Sequence, residues 1–256
     1  MTIKINNLFF KYDKKAKANI LNDINLEFKE GSINVLLGLN GCGKTTLLKL
    51  LAGLEKPQSG SIKYDGDDLT AISIKERSKR FAYVAQNTDI IGDILVSDYL
   101  LFGTANTLAF YQSPGENERQ LVQSISERLG ITYLLDKKIG ETSGGERQII
   151  LIACALIQNT PIILLDEPTS ALDIKNQNKV LDVLKEISKE GKTIILSSHN
   201  PNHALFLDSN VVLMNKGEIA TAGTAKELIT VEKLTSIYGD RVCYSDELDY
   251  REISFK

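Results

Sequence analysis

The sequence predicts an α/β protein: a mostly parallel sheet flanked by helices, with an N-terminal antiparallel β layer and a helical insertion. Three observations carry this reading. An apolar run at 33–37 (INVLL) leads into the glycine loop GLNGCGKT and then the Leu-rich TTLLKLLAG, which is the order strand, loop, helix. Further on, helical and strand patterns alternate, as parallel pairing requires. Between these regions lies a long stretch of helical periodicity.

Taken in order, residues 3–35 hold the β-rich runs IKINNLFF, INLEF and SINVLL, and SIKYDG follows at 61–66; these are expected to form the antiparallel layer. A helix from about Thr45 should stop at Gly53, with Leu47, Leu48 and Leu51 on its buried face. FAYVAQ reads as a strand ending at Gln86. From about Ser97 to Ile139 the pattern is helical, broken at Pro114-Gly115, with a second helix near 118–129. A helix at about 145–157, a strand at 162–166, a helix at about 176–190 and a strand at 193–198 follow. Val180, Leu181, Val183, Leu184 and Ile187 recur at helical spacing and read as core. VVLMNKGEI reads as a final hairpin turning at 215–217, and the segment after Thr224 as a short helix followed by irregular, acidic chain. The expected division is one domain: a core of 1–86 and 160–225, a helical subdomain of 87–159, and a short tail of 226–256.

A chain of 256 residues with 43% hydrophobic content can bury a full core. Thirty basic against 33 acidic residues give a net charge of −3, which offers no electrostatic footprint for nucleic acid. Cys42, Cys154 and Cys243 are too scattered for a zinc site or disulfide framework, and MTIKINNLFF lacks the apolar core of a signal peptide, so an intracellular, reducing setting is expected. Residues 148–165 are uncharged, but Gln158, Asn159, Thr160 and Pro161 interrupt them, so they read as a buried helix, turn and strand rather than a membrane span.

The chemistry starts at the glycine loop. Backbone N–H groups and a helix N-terminus attract phosphate, Lys44 reaches the β/γ-phosphates, and Thr45 offers a hydroxyl to Mg²⁺. IILL ends in Asp166-Glu167, placing two acids at the carboxyl edge of a buried strand, where such sheets bind ligands. Asp166 is expected to hold a Mg²⁺-bound water and Glu167 to polarise the attacking water. Ser143 and Glu146 have capping-box spacing, yet Gly144 and Gly145 between them cost helix propensity, which points to a second anion contact.

In this combination the chain resembles the nucleotide-binding subunit of ATP-binding cassette (ABC) transporters. The resemblance implies a P-loop NTPase (RecA-like) core. It makes Gly38 to Thr45 the Walker A loop, with nucleotide contacts at Gly38, Asn40, Gly41, Cys42, Gly43, Lys44, Thr45 and Thr46. Gln86 becomes the Q-loop glutamine and a Mg²⁺ ligand, and Ser143-Gly144-Gly145-Glu146 the signature. Glu167 becomes the catalytic glutamate, Asp173 part of the D-loop, His199 the switch histidine and Tyr12 the aromatic that stacks on adenine. The lysines at 11, 14, 15 and 17 read as a solvated turn, and Cys42 as a point of sensitivity to thiol reagents. The family also implies ATP and Mg²⁺ as ligands and a head-to-tail dimer, of two copies or of paralogues, with two ATP at its interface.

GLNGCGKTTLLKLLAGLEKPQSGSI and SSHNPNHALFLDSNVVLMNKGEIATAGTAKELIT, with Tyr238-Gly239 after them, are similar to the importer branch for iron–siderophore, haem, cobalamin and related metal chelates. That branch implies an integral-membrane permease, docked near 86–102, an extracytoplasmic binding protein as indirect partner, no nucleic acid, and a place on the cytoplasmic face of the membrane. An exporter subunit and a soluble ABC ATPase acting as a conformational regulator are the alternatives. Thr142, Cys154 and Asn200 depart from the family's usual Leu, Arg and Asp.

Overall fold

The computed structural model describes residues 2–13, 15–86, 92–106, 108, 112–239, and, by backbone alone, 242–245 and 252–255. Strands β1 (Thr2–Phe10) and β2 (Leu21–Lys29) precede β3 (Ile33–Leu37), which feeds α1 (Lys44–Ala52). Next come β4 (Ser59–Tyr64), β5 (Asp67–Asp68), α2 (Ile74–Ser78) and β6 (Phe81–Val84), then α3 (Val96–Leu101), α4 (Glu116–Leu129) and α5 (Gly144–Ile157). The pairs β7 (Ile162–Leu165) with α6 (Ile174–Lys189), and β8 (Thr193–Ser198) with α7 (Pro201–Phe206), lead to β9 (Asn210–Asn215) and β10 (Glu218–Thr224). Helices α8 (Ala225–Leu228) and α9 (Val231–Tyr238) and strands β11 (Val242–Ser245) and β12 (Glu252–Phe255) close the described chain.

The main sheet has the order β10-β9-β3-β8-β7-β6, parallel throughout except where β10 turns back on β9. A second, antiparallel sheet has the order β2-β1-β4-β5. Strands β3, β7 and β8 are buried on both faces, which is why they read as unbroken apolar runs rather than alternating ones. Their alternate residues feed two cores. Val35, Leu37, Ile163, Leu165 and Leu196 pack with residues of α3 to α6, whereas Leu36, Leu164, Ile195, Val212 and Met214 pack with Leu47, Leu48 and Leu51 of α1 and with the antiparallel sheet.

Three expectations change. The run at 33–37 lies inside the parallel sheet rather than in the antiparallel layer, because it is buried on both faces. The strand expected through Gln86 ends at Val84, which leaves Gln86 on the loop beyond it. Among the described residues of the tail, α8 and α9 are followed by β11 paired antiparallel with β12 rather than by irregular chain, and the segments VCYS and EISF carry β-forming residues. Gly53 does end α1, in the left-handed conformation, and its amide hydrogen-bonds to the Leu50 carbonyl. Among the described residues no helix is long and apolar enough to cross a membrane.

Candidate active site

The site forms where β3, β8 and β7 deliver their carboxyl ends to one edge of the sheet. Gly43 stands at the N-cap of α1 with φ 107°, a left-handed conformation that disfavours a side chain. No side chain caps α1, and no acid occupies its first turn, so its leading N–H groups are left for an anion. The Lys44 ammonium is buried and donates to the carbonyls of Gly38 (2.7 Å) and Leu39 (3.2 Å). Tyr238, at the end of α9, lies close to the same loop, near Gly38 and Cys42, and burial raises its phenol pKa.

Across the edge, Thr45 Oγ1 donates to Asp166 Oδ1 at 3.1 Å. Ser197, on the intervening strand β8, donates to that carboxylate oxygen at 2.6 Å and accepts the Glu167 amide proton at 2.8 Å. Glu167 has φ 46°, uncommon for a residue with a side chain, and the Ser197 bond pins it there. Its Oε2 accepts from Gln86 Nε2 at 3.0 Å and lies 3.3 Å from His199 Nδ1. The two acids, Gln86 and His199 therefore meet in one place, beside a cleft of about 390 Å³ lined by Ile20, Asn40, Gly41, Gly43, Lys44, Thr45, Thr46, Gln86 and Glu167. Sequence reasoning missed Ser197, Ile20 and the approach of Tyr238 to the loop. The available signal for Ser197 was the break from apolar residues to a Ser pair at the end of a buried strand.

Tyr12 remains 51% exposed, edge-on to Phe10 with centroids 4.9 Å apart, and its hydroxyl lies 3.5 Å from Thr46 Oγ1. Lys49 Nζ lies over the Tyr12 ring, 6.0 Å from its centroid. Lys11 donates to the Ala16 carbonyl, and Lys15 and Lys17 are on the surface, whereas Lys14 lies outside the described residues.

Ser143 to Glu146 form a reciprocal cap: Ser143 Oγ accepts the Glu146 amide (3.2 Å), and Glu146 Oε2 accepts the Ser143 amide (2.8 Å). The latter bond holds the Glu146 carboxyl below the usual carboxylate range. A Cβ on Gly145 would stand 3.2 Å from the Ala171 carbonyl, so close backbone approach accounts for one glycine, while Gly144 faces open space. Asp173 caps α6 through the Asn176 amide (2.8 Å). Neither the 143–146 segment nor Asp173 lines the cleft. Within one chain the structure does not bring them to it.

Cys42 corrects an expectation. It is 4% exposed, and burial raises its thiol pKa, so it lacks the accessible thiolate that reagents attack. The departures from the family pattern have local roles. Thr142 Oγ1 donates to the Ile139 carbonyl (2.7 Å), Cys154 is half-buried against the helical layer with its thiol pushed up to about 11 by desolvation, and Asn200 caps α7 through the Asn202 amide (3.0 Å).

The donor set fits Mg²⁺. Thr45, Asp166 and Gln86 offer hard oxygens, and no group of three or more His, Cys, Asp or Glu forms a metal cage among the described residues. Few protein oxygens complemented by phosphates are what this ion takes.

A parallel sheet that sets a phosphate loop beside two acids defines a P-loop nucleoside triphosphatase. The profile of the family described as ABC transporter matches residues 21–170, and the chain belongs to this family. It is an ABC-type ATPase. It is 34% identical to the ferric enterobactin transport ATP-binding protein FepC of Escherichia coli over 233 residues, 91% of this chain and 86% of that one. Among solved structures it is similar to a metal-chelate type ABC transporter in an inward-facing conformation, with TM-score 0.82 and 28% identity, covering 100% of this chain and 96% of that one. It is also similar to a dimeric ATP-binding cassette in a post-hydrolysis state bound to ADP and Pi, with TM-score 0.79 and 26% identity, covering 87% and 98%.

Proposed function

We propose that the chain is the ATP-hydrolysing subunit of an importer for a metal chelate such as an iron–siderophore, working as a pair of cassettes on the cytoplasmic side of a separate permease. The observation that carries this reading is coverage. The metal-chelate type transporter matches all of the chain, including the segment after Thr224 that follows the core, whereas the dimeric cassette covers 87%.

In this reading Lys44 leaves its loop carbonyls for the β/γ-phosphates, and the uncapped N-terminus of α1 holds the remaining charge. Tyr12 stacks on adenine. Thr45, Asp166 and Gln86 would hold Mg²⁺, which when bound neutralises charge on the β- and γ-phosphate oxygens. Glu167 orients and polarises the attacking water, with Gln86 and His199 fixing its Oε2 side. His199 donates to the γ-phosphate. The exposed cap at Ser143 to Glu146 meets the nucleotide of the second subunit, which is consistent with its distance from the cleft of its own chain. A groove of about 550 Å³ bounded by Asp98, Leu101, Phe102 and Arg119 is where we place the permease contact.

The test is to isolate the Glu167→Gln protein with ATP–Mg²⁺ from native membranes and identify its partners by mass spectrometry. A hydrophobic permease encoded beside a chelate-binding protein supports the reading. A soluble complex or nucleic acid overturns it and leaves the ATPase chemistry standing.

A further inference from the structure

His203 lies on α7, one turn beyond His199, and is 8% exposed. A buried imidazole needs its hydrogen bonds accounted for. Ser198 Oγ lies 3.0 Å from His203 Nδ1, accepts the Asn200 amide proton at 3.0 Å, and donates to the Asn200 carbonyl at 3.3 Å. The Asn200 side chain is oriented by its cap, because Oδ1 accepts the Asn202 amide. Its Nδ2 therefore faces His203 Nε2, at 3.5 Å.

These contacts select one tautomer. An amide NH₂ can only donate, so Nε2 must be the bare, accepting nitrogen, and the neutral ring carries its proton on Nδ1. That proton goes to Ser198 Oγ, whose own hydrogen goes to the Asn200 carbonyl. In the opposite tautomer, an Nε2–H would point at an NH₂ group. Burial, with His199 nearby as a second cause, pushes the His203 pKa down to about 4, which agrees with a ring held neutral.

The network brackets residue 199 on both sides, at Ser198 and at Asn200, and ties the turn to α7. We infer that His203, as the neutral Nδ1–H tautomer, is a positioning residue that locks this turn and so holds His199 against Glu167. The inference deepens the proposed site and rests on the reading that His199 takes part in hydrolysis. It also gives Asn200, in place of the family's frequent Asp, a reason: a carboxylate there would present an acceptor to Nε2 and draw a proton onto it.

The experiment measures ATP hydrolysis by the full chain with Mg²⁺ for His203→Phe, His199→Ala and the two combined. A displaced catalytic group costs ten- to about a hundredfold in rate, so His203→Phe is expected to lose about that in kcat while KM stays within about twofold. The combined variant is expected to be no slower than His199→Ala alone. Normal kcat in His203→Phe, or losses that multiply in the combined variant, overturns the inference. Normal kcat in His199→Ala overturns instead the site reading beneath it. Ser198→Ala removes the hub without emptying the core, and normal kcat there is equally fatal should the Phe variant not fold. Imidazole ¹⁵N NMR reads the tautomer directly: protonated Nδ1 and bare Nε2 are expected, and the reverse pattern refutes the assignment. Asn200→Asp should move a proton onto Nε2, and an unchanged spectrum would count against the network.

Discussion

The Ser197 hydroxyl accepts the Glu167 amide proton across 2.8 Å, and its own proton goes to Asp166 at 2.6 Å. One neutral side chain thereby sets the backbone of one acid and the carboxylate of the other. In Ser197→Ala both partners lose a buried hydrogen bond, a cost of about 1–3 kcal/mol in stability. Hydrolysis should fall at least about tenfold as Glu167 leaves its orientation, with ATP affinity nearly kept. Steady-state kinetics and thermal unfolding check this, and wild-type kcat would remove Ser197 from the site.

The two charged residues should fail differently. Glu167→Gln keeps the shape of the side chain but loses the charge that polarises water, so ATP binding persists, turnover is suppressed and ATP-bound dimers accumulate, as sedimentation would show. Lys44→Ala removes the cation from the phosphate loop and should weaken ATP affinity itself, measured by calorimetry. Normal turnover in the first, or unchanged affinity in the second, rejects the assigned roles.

Cys42 should resist alkylation in the native protein. Because the thiol is buried and its pKa is raised, maleimide labelling at neutral pH should be at least about tenfold slower than in urea. Mass spectrometry of the modified peptide measures both rates. Equal rates would mean the loop opens freely.

Acid should destabilise the protein through His203. Its folded pKa, about 4, lies below the ordinary 6.5, so between these values the unfolded state binds the extra proton and stability rises with pH. The contribution is complete above about pH 6.5 and is lost as pH falls toward 4, amounting to about 3 kcal/mol. Burial is the larger cause of the shift, and the neighbouring His199 adds to it. Denaturant unfolding at several pH values should show this slope in the wild type and a slope smaller by one proton in His203→Phe. An unchanged slope in the variant would place the titration elsewhere.

The phosphate loop, the paired acids and the strand–helix alternation were legible because each is written in contiguous residues whose period or spacing is itself the physical requirement. Gly43 must turn, Lys44 must follow it, and Asp166 and Glu167 must end a buried strand. The tail hairpin was harder to see, since VCYS and EISF are each four residues long and too short for a decisive period. Gln86 was found, but its loop position was not, because the last pairing of β6 with β7 falls at Val84.

By itself the sequence determined the class of sheet, the glycine loop between β3 and α1, and the two acids that end a buried strand. Tertiary structure alone decided that β8 lies between β3 and β7, and hence that Ser197 can touch both acids, that Tyr238 comes close to the phosphate loop, and that Ser198 and Asn200 face the two ring nitrogens of His203. The reason is that strand order, burial and hydrogen-bond partners arise from packing between segments distant in the chain. No local pattern encodes which donor will face which acceptor.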